Sequence, residues 1–247
     1  MTVPGPASSY RSVPVSFVRR SRRLSDTQQR LWDEQRLRYL VDVPRAAATT
    51  SVDPGFVLDL AQVPPGSGPV VLEIGSGQGD AVVAAASARP GTRFLAVEVY
   101  EPGLAHTARR AAAAGVDNLR LLQANAPEVL ASALPEAGVD ELWIFFPDPW
   151  RKARHTKRRL VDEPFLALAA RVLADGGVLR FASDWEPYAE QVRGLLESAS
   201  DFAAHGTTTP DGWAPRFEGR VLTGFERKGT AAGRVVRDLA FARTPRA

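Results

Sequence analysis

A carboxylate held between two prolines stands out in Phe146-Pro147-Asp148-Pro149-Trp150. Proline fixes its own φ and restrains the residue before it, so Pro147 and Pro149 keep Asp148 out of helix and stiffen its position. A fixed negative charge at a strand end can stabilise positive charge that develops during a reaction. The alternative is a proline-stiffened turn carrying an exposed acid. Upstream, Glu73-Ile74-Gly75-Ser76-Gly77-Gln78-Gly79 places three glycines where a strand gives way to a helix. Gly75, Gly77 and Gly79 let the backbone turn tightly and approach a ligand without a Cβ in the way. A dinucleotide fingerprint reads G-x-G-x-x-G, whereas here the third glycine arrives one residue early. Glu98 follows at the end of the next apolar run, where an acid about twenty residues after a Gly loop accepts from ribose hydroxyls. Asn125, after a third run, is placed to hydrogen-bond an adenine edge. Glu73 either touches the ligand or shapes the loop.

These residues meet only if their strands share one edge of a sheet. The apolar runs Val70–Ile74, Phe94–Val97, Leu119–Leu122, Leu142–Phe146 and Val178–Ala182 read as buried strands. They alternate with helices over Asp80–Ala88, Glu101–Ala114, Glu163–Leu173 and Glu186–Ser198, and Val235–Ala242 reads as a late strand. Such alternation predicts an α/β fold with a doubly wound, mostly parallel, Rossmann-like sheet, whose ligands bind outside the carboxyl ends of the strands. Residues 1–45 read as a basic, partly mobile N-terminal extension, with residues 1–30 a mobile arm and a helix beginning near Thr27, for which Leu31, Trp32, Leu37 and Tyr39 are the packing residues. Residues 46–247 form the catalytic domain.

Charge distribution says more than the net +3. One basic group comprises Arg11, Arg19, Arg20, Arg22 and Arg23. A second, Arg151, Lys152, Arg154, Lys157, Arg158 and Arg159, contains no acid. A third spans Arg216, Arg220, Arg227, Lys228, Arg234 and Arg237. Any one such run is ordinarily a solvated face, but three groups around one prospective site favour a polyanion, because phosphate neutralisation releases condensed counterions. Only Lys152, Lys157 and Lys228 are lysines, so the compact ammonium is concentrated in these groups. The absence of cysteine excludes disulfides and thiolate metal sites and fits a reducing cytoplasm. With His106, His155 and His205 scattered, no metal site is expected, and no apolar run has the length of a membrane span. Nothing in the sequence requires a protein partner.

Together the Gly loop, Glu98 and Asn125 resemble the S-adenosyl-L-methionine site of class I methyltransferases. The stretch Pro147–Leu160, with Arg151-Lys152-Ala153-Arg154-His155-Thr156-Lys157-Arg158-Arg159 directly after the Pro-Asp-Pro turn, is similar to the signature of the bacterial tRNA (guanine-N7-)-methyltransferase family. So are Ser183-Asp184-Trp185-Glu186-Pro187-Tyr188, Thr223-Gly224-Phe225-Glu226-Arg227-Lys228-Gly229 and the arm around Phe17–Arg23; the resemblance covers about residues 11–244. It implies methyl transfer from S-adenosyl-L-methionine to N7 of a tRNA guanine, guanosine 46 of the variable loop by family expectation, with S-adenosyl-L-homocysteine as product. It places Glu73, Glu98, Asn125 and Asp148 at the donor, with Asp148 at the transfer site. Lys152, Asp184, Thr223, Gly224, Phe225 and Glu226 would contact substrate, and Arg154, His155, Thr156, Lys157, Arg158 and Arg159 the RNA. Asn125 departs from relatives that carry Asp, keeping the acceptor without the charge, and Ser183 stands where Thr is frequent. Asp184 and Glu226 are acceptors suited to guanine N1–H and its amine, or else partners of neighbouring arginines. Trp150 either stacks on a base or packs in the protein. The alternatives are methylation of another RNA base or a small molecule on the same fold, and an RNA-binding module without catalysis.

Overall fold

The computed structural model describes residues 24–47 and 50–246. The basic group Arg11–Arg23 lies outside them. In chain order the elements are α1 (Asp26–Tyr39), β1 (Val70–Ile74), α2 (Asp80–Ala88), β2 (Arg93–Glu98), α3 (Glu101–Ala113), β3 (Leu119–Gln123) and α4 (Ala126–Glu128), which runs on as a wide turn over Val129–Ala133. They continue with β4 (Val139–Phe145), a 3-10 turn (Ala153–Arg158), α5 (Glu163–Val172), β5 (Leu173–Ser183), α6 (Glu186–Ser198), β6 (Phe202–Ala204), α7 (Gly224–Ala231) and β7 (Arg237–Arg243).

One seven-stranded sheet runs in the order β3-β2-β1-β4-β5-β7-β6. The first five of these are mutually parallel. β7 is antiparallel to both β5 and β6. A parallel strand covered on both faces must be apolar throughout, which is why β1 reads Val-Val-Leu-Glu-Ile rather than alternating. Leu72 and Ile74 join one core layer with α5 and α6 residues such as Phe165 and Tyr188. Val71 joins the other, with Val82 of α2 and Leu104 of α3.

The principal strands fall where the apolar runs place them, with shifted ends. β5 begins at Leu173 rather than Val178: pairing starts at Val139–Leu173, and the ladder breaks between Val139 and Glu141 before resuming at Val178. The late strand begins at Arg237, two residues after its reading, and β6 and α7 were not foreseen. The arm reading fails at Leu24–Arg30. Ser25 caps α1 by accepting from Gln28 N, and the Gln28 side chain accepts from Ser25 N in return, so the helix starts firmly at Asp26.

α1 also corrects its own packing residues. Trp32 and Tyr39, two turns apart, share a buried stripe, while Leu37, on another face, is 87% exposed and Leu31 is also exposed. Tyr39 donates its hydroxyl to Val116 O at 2.8 Å in a buried position. Tyr39→Phe keeps the ring but orphans that carbonyl. The expected loss is about 1–3 kcal/mol of unfolding free energy in urea titration, and an unchanged midpoint would mean that α1 docks by apolar packing alone.

Candidate active site

Strand order reverses between β1 and β4, and at such a switch point the helices on either side diverge to leave a crevice at the carboxyl ends of the strands. A cleft of about 740 Å³ opens there. Gly75, Glu98, Asn125 and Asp148 line it together, as do Tyr100 and Phe146.

The glycine loop is shaped from below. Gly75, Gly77 and Gly79 have φ of 73°, 57° and 75°, the left-handed region that glycine enters without strain. At Gly79, which precedes α2, a Cβ would also lie 2.5 Å from Thr107 Cγ2. Glu98 ties the loop to the next strand. Its Oε2 accepts from Gly77 N at 2.9 Å, and its Oε1 from Val99 N at 2.7 Å and Tyr100 N at 2.9 Å. Burial pushes the Glu98 carboxyl above its ordinary range; these amides oppose the shift, and Asp148 adds to it. With three acceptor positions used out of roughly four, one lone pair on Oε2 is left for a ligand hydroxyl.

Glu73 is not among the residues lining the cleft; neither are Gly77 and Gly79. It is buried behind the loop, and its Oε2 has no hydrogen-bond partner. Desolvation raises its pKa from 4.5 to about 8, against the pull of the Val82 amide and with Glu98 and Asp80 adding repulsion.

Asn125 precedes α4, and its backbone N–H donates to Thr50 O at 2.7 Å. Its Nδ2 donates to Glu128 Oε1 at 2.9 Å, leaving Oδ1 as the side chain's acceptor.

The chain leaves β4 through a strained turn: Phe146 and Trp150 have φ of 52° and 42°, costly for residues with a side chain. Phe146 N donates to Ala182 O at 2.8 Å, which holds the turn against β5. Asp148 stands at the cleft mouth, open to solvent on one side, and burial on the other raises its carboxyl above the usual range. Arg220 lies over the rings of Phe145 and Phe146, 5.3 Å from each centroid. Fully buried, it donates to Asp238 Oδ1 at 2.5 Å and Glu226 Oε1 at 3.2 Å.

Two prospective base-edge acceptors already have partners. Glu226 is buried and receives Arg216 Nε at 2.9 Å as well as Arg220; burial opposes ionisation, but the two guanidinium groups hold its carboxyl below the ordinary range. Asp184 lies 2.6 Å from Arg234 Nε as an ion pair. Thr223 Oγ1 accepts from Glu226 N at 3.0 Å, so Thr223 and Gly224 open α7. The Phe225 side chain lies outside the described residues.

The basic run divides. Lys152, Arg154, Lys157 and Arg158 are exposed around the 3-10 turn, with His155 and Thr156 half-buried. Arg158 lies 5.1 Å over the Trp150 ring, and Arg151 lies 4.5 Å over Trp185, next to Asp184. Arg159 departs from the reading as an RNA contact. It is 6% exposed, donates to Pro149 O at 3.0 Å and Gln191 Oε1 at 2.5 Å, and packs over Tyr188, so it braces the Asp148 turn from inside. The sequence reading missed Glu128 and the pairing of Arg220 with Asp238, since no local spacing marks partners that the fold alone brings together.

Five parallel strands extended by an antiparallel β7, with a cleft at the switch point lined by Gly75 of the glycine loop, Glu98 and Asn125, are the fold and site of a class I S-adenosylmethionine-dependent methyltransferase. The 16S rRNA methyltransferase KamB overlays with a TM-score of 0.55 at 18% identity, over 81% of this chain and 99% of that one. The antibiotic-resistance methyltransferase Kmr overlays at 0.51 and 21%, over 83% and 99%. A family profile described as putative methyltransferase matches residues 67–239. The chain is 42% identical to the tRNA (guanine-N(7)-)-methyltransferase of Paenarthrobacter aurescens (strain TC1), over 94% of its own length and 92% of that protein. It is 41% identical to that of Sodalis glossinidius (strain morsitans), over 93% and 91%. The protein belongs to the tRNA (guanine-N7-)-methyltransferase family.

The state of Glu73 is measurable through stability. Between pH 4.5 and about 8 the folded chain holds a proton that the unfolded chain has lost. Stability therefore falls as pH rises through this window, by up to about 1.4 kcal/mol per unit, and levels off above it. Glu73→Gln should remove this slope. In urea titrations the variant should gain a few kcal/mol over wild type between about pH 5 and pH 9, and parallel pH profiles would show that Glu73 is ionised.

Proposed function

We propose that the protein transfers the methyl group of S-adenosyl-L-methionine to N7 of a guanine in tRNA, at guanosine 46 of the variable loop, and that it acts in the cytoplasm. The observation that carries this reading is one cleft in which Gly75, Glu98 and Asn125 share a wall with Asp148. Exposed cations on the segment directly after Asp148 support a polyanionic substrate. The relatives' names supply the base and the atom.

The cleft suits the donor: the spare lone pair of Glu98 fits a ribose hydroxyl and Asn125 Oδ1 fits an adenine amine, while Glu73, buried behind the loop, shapes it from below. When bound, the donor supplies an electrophilic methyl on a positively charged sulfur. Guanine N7 carries an in-plane lone pair and no proton, so these residues need to align the base rather than deprotonate it. Methylation places positive charge on the purine, and the ionised Asp148 carboxylate at the mouth stabilises it. Lys152, Thr223, Gly224 and Phe225 are the proposed substrate contacts. Asp184 joins them by exchanging Arg234 for the guanine edge, and Glu226 holds the α7 turn through Arg216 and Arg220. Arg154, His155, Thr156, Lys157 and Arg158 meet the RNA backbone.

Incubation with unmodified tRNA and labelled donor, followed by nuclease digestion and mass spectrometry, should yield 7-methylguanosine at one position. Methyl transfer to another atom, or none, overturns the reading. Asp148→Asn keeps the turn and removes the charge, so turnover should fall roughly 100-fold with tRNA affinity retained. Because burial raises the Asp148 carboxyl, wild-type turnover should decline on acidification at a higher pH than an ordinary aspartate gives, and the variant should lack that step.

The divided basic run yields a second expectation. Replacing Lys157 and Arg158 with Ala should flatten the log–log salt dependence of tRNA binding by roughly 0.7–0.9 for each phosphate no longer neutralised. Arg159→Ala should instead lower thermal stability and leave the slope unchanged. Equal behaviour of the two variants would contradict the division.

A further inference from the structure

Glu128 has both oxygens committed in a way that dictates which atom Asn125 shows the cleft. Its Oε1 lies 2.9 Å from Asn125 Nδ2, and its Oε2 accepts from Val52 N at 2.8 Å. An ionised carboxylate only accepts. The neighbouring amide must therefore turn its NH2 to Glu128, because the flipped rotamer would set Oδ1 against Oε1. Val52 is fixed in turn: it is buried, and the nearby Thr50 O receives Asn125 N at 2.7 Å. One carboxylate thus holds both the amide and the segment beside it.

Resting on the donor reading above, we propose that Glu128 is a specificity-determining positioning residue: by locking the Asn125 amide it presents an acceptor to the ligand base and selects a 6-amino purine over a 6-oxo purine. An amide free to flip would serve either base, offering Oδ1 to an amine or Nδ2 to a carbonyl. A carboxylate at position 125 would achieve the same selection only by placing a second negative charge against Glu128. The pair Asn125–Glu128 obtains selection with one charge.

Glu128→Gln gives a test that a purely structural role would not move. Gln is the same size but has one acceptor and one donor. Val52 N–H cannot turn, and orphaning it costs about 1–3 kcal/mol. The new amide therefore gives its oxygen to Val52 and its NH2 to Asn125, which flips and shows Nδ2 to the cleft. Dissociation constants for S-adenosylhomocysteine and S-inosylhomocysteine, measured by calorimetry on the full chain, read the outcome. Wild type should prefer the adenosyl ligand, and Glu128→Gln should shift the ratio at least tenfold towards the inosyl ligand. Glu128→Ala, which frees the amide, should give an intermediate ratio; it keeps the test decisive should the Gln variant fold poorly by circular dichroism. A ratio equal to wild type in a folded variant overturns the inference even if both affinities fall. Failure of wild type to bind either ligand refutes the donor reading itself, a distinguishable result.

Discussion

The Glu98 carboxylate is the tie on which the site depends. It accepts from the glycine loop at Gly77 and from the chain leaving β2 at Val99 and Tyr100, so the ends of two neighbouring strands are joined through one half-buried carboxylate. Charge-assisted bonds of this kind are roughly twice as strong as neutral ones, and in a desolvated place their loss is costly. The loop can serve that carboxylate only if Gly77 turns its amide inward, which the positive φ permits. α3 then packs against the same loop: a Cβ on Gly103 would lie 2.4 Å from Gly77 O. Loop, strand end and helix are thus mutually determined, and the cleft wall follows from their agreement.

A second buried network does similar work on the opposite side of the cleft. Arg220 joins Asp238 of β7 to Glu226 of α7 while covering the rings of Phe145 and Phe146. Burying ions is expensive unless they are paired and hydrogen-bonded, and removal of one partner leaves an uncompensated charge. Here the pairing ties the chain's 220–238 stretch, some way along the sequence, to the strained turn carrying Asp148. Arg159 braces the same turn from beneath through Pro149 O. Of the many arginines, some therefore build the site from inside, while the exposed ones at 154 and 158 leave their charge to the solvent side.

This division marks how far the sequence could be read. Gly75, Glu98, Asn125 and Asp148 were legible because each follows an apolar run at a spacing with a local physical meaning, and the sheet brings strand ends together by construction. β6 and α7 were not: the first is three residues long and the second too short for a clear apolar period. Buried cations were invisible for a different reason. Arg158 and Arg159 are neighbours of the same type, and only the fold shows that one faces solvent and the other Gln191. The same holds for Glu128, whose partner Val52 is brought near by tertiary packing. Local chemistry was readable, and the pairing of charges across the chain was not.

The electrostatics of the site also bear on the direction of the proposed reaction. Glu98 and Asp148 repel one another, while burial keeps Glu73 behind the loop protonated up to about pH 8 and so uncharged. The cleft wall mixes acids such as Glu98 and Asp148 with Arg36 and Arg45, while the exposed cations at 154, 157 and 158 form a basic rim that favours a polyanion. Methyl transfer removes the positive charge from the ligand sulfur and places it on the purine at the mouth. In the proposed reaction the spent donor is left without its positive charge, and the purine cation forms beside Asp148. Placing Asn rather than Asp at position 125 leaves an acceptor in the cleft without a further charge beside Glu128.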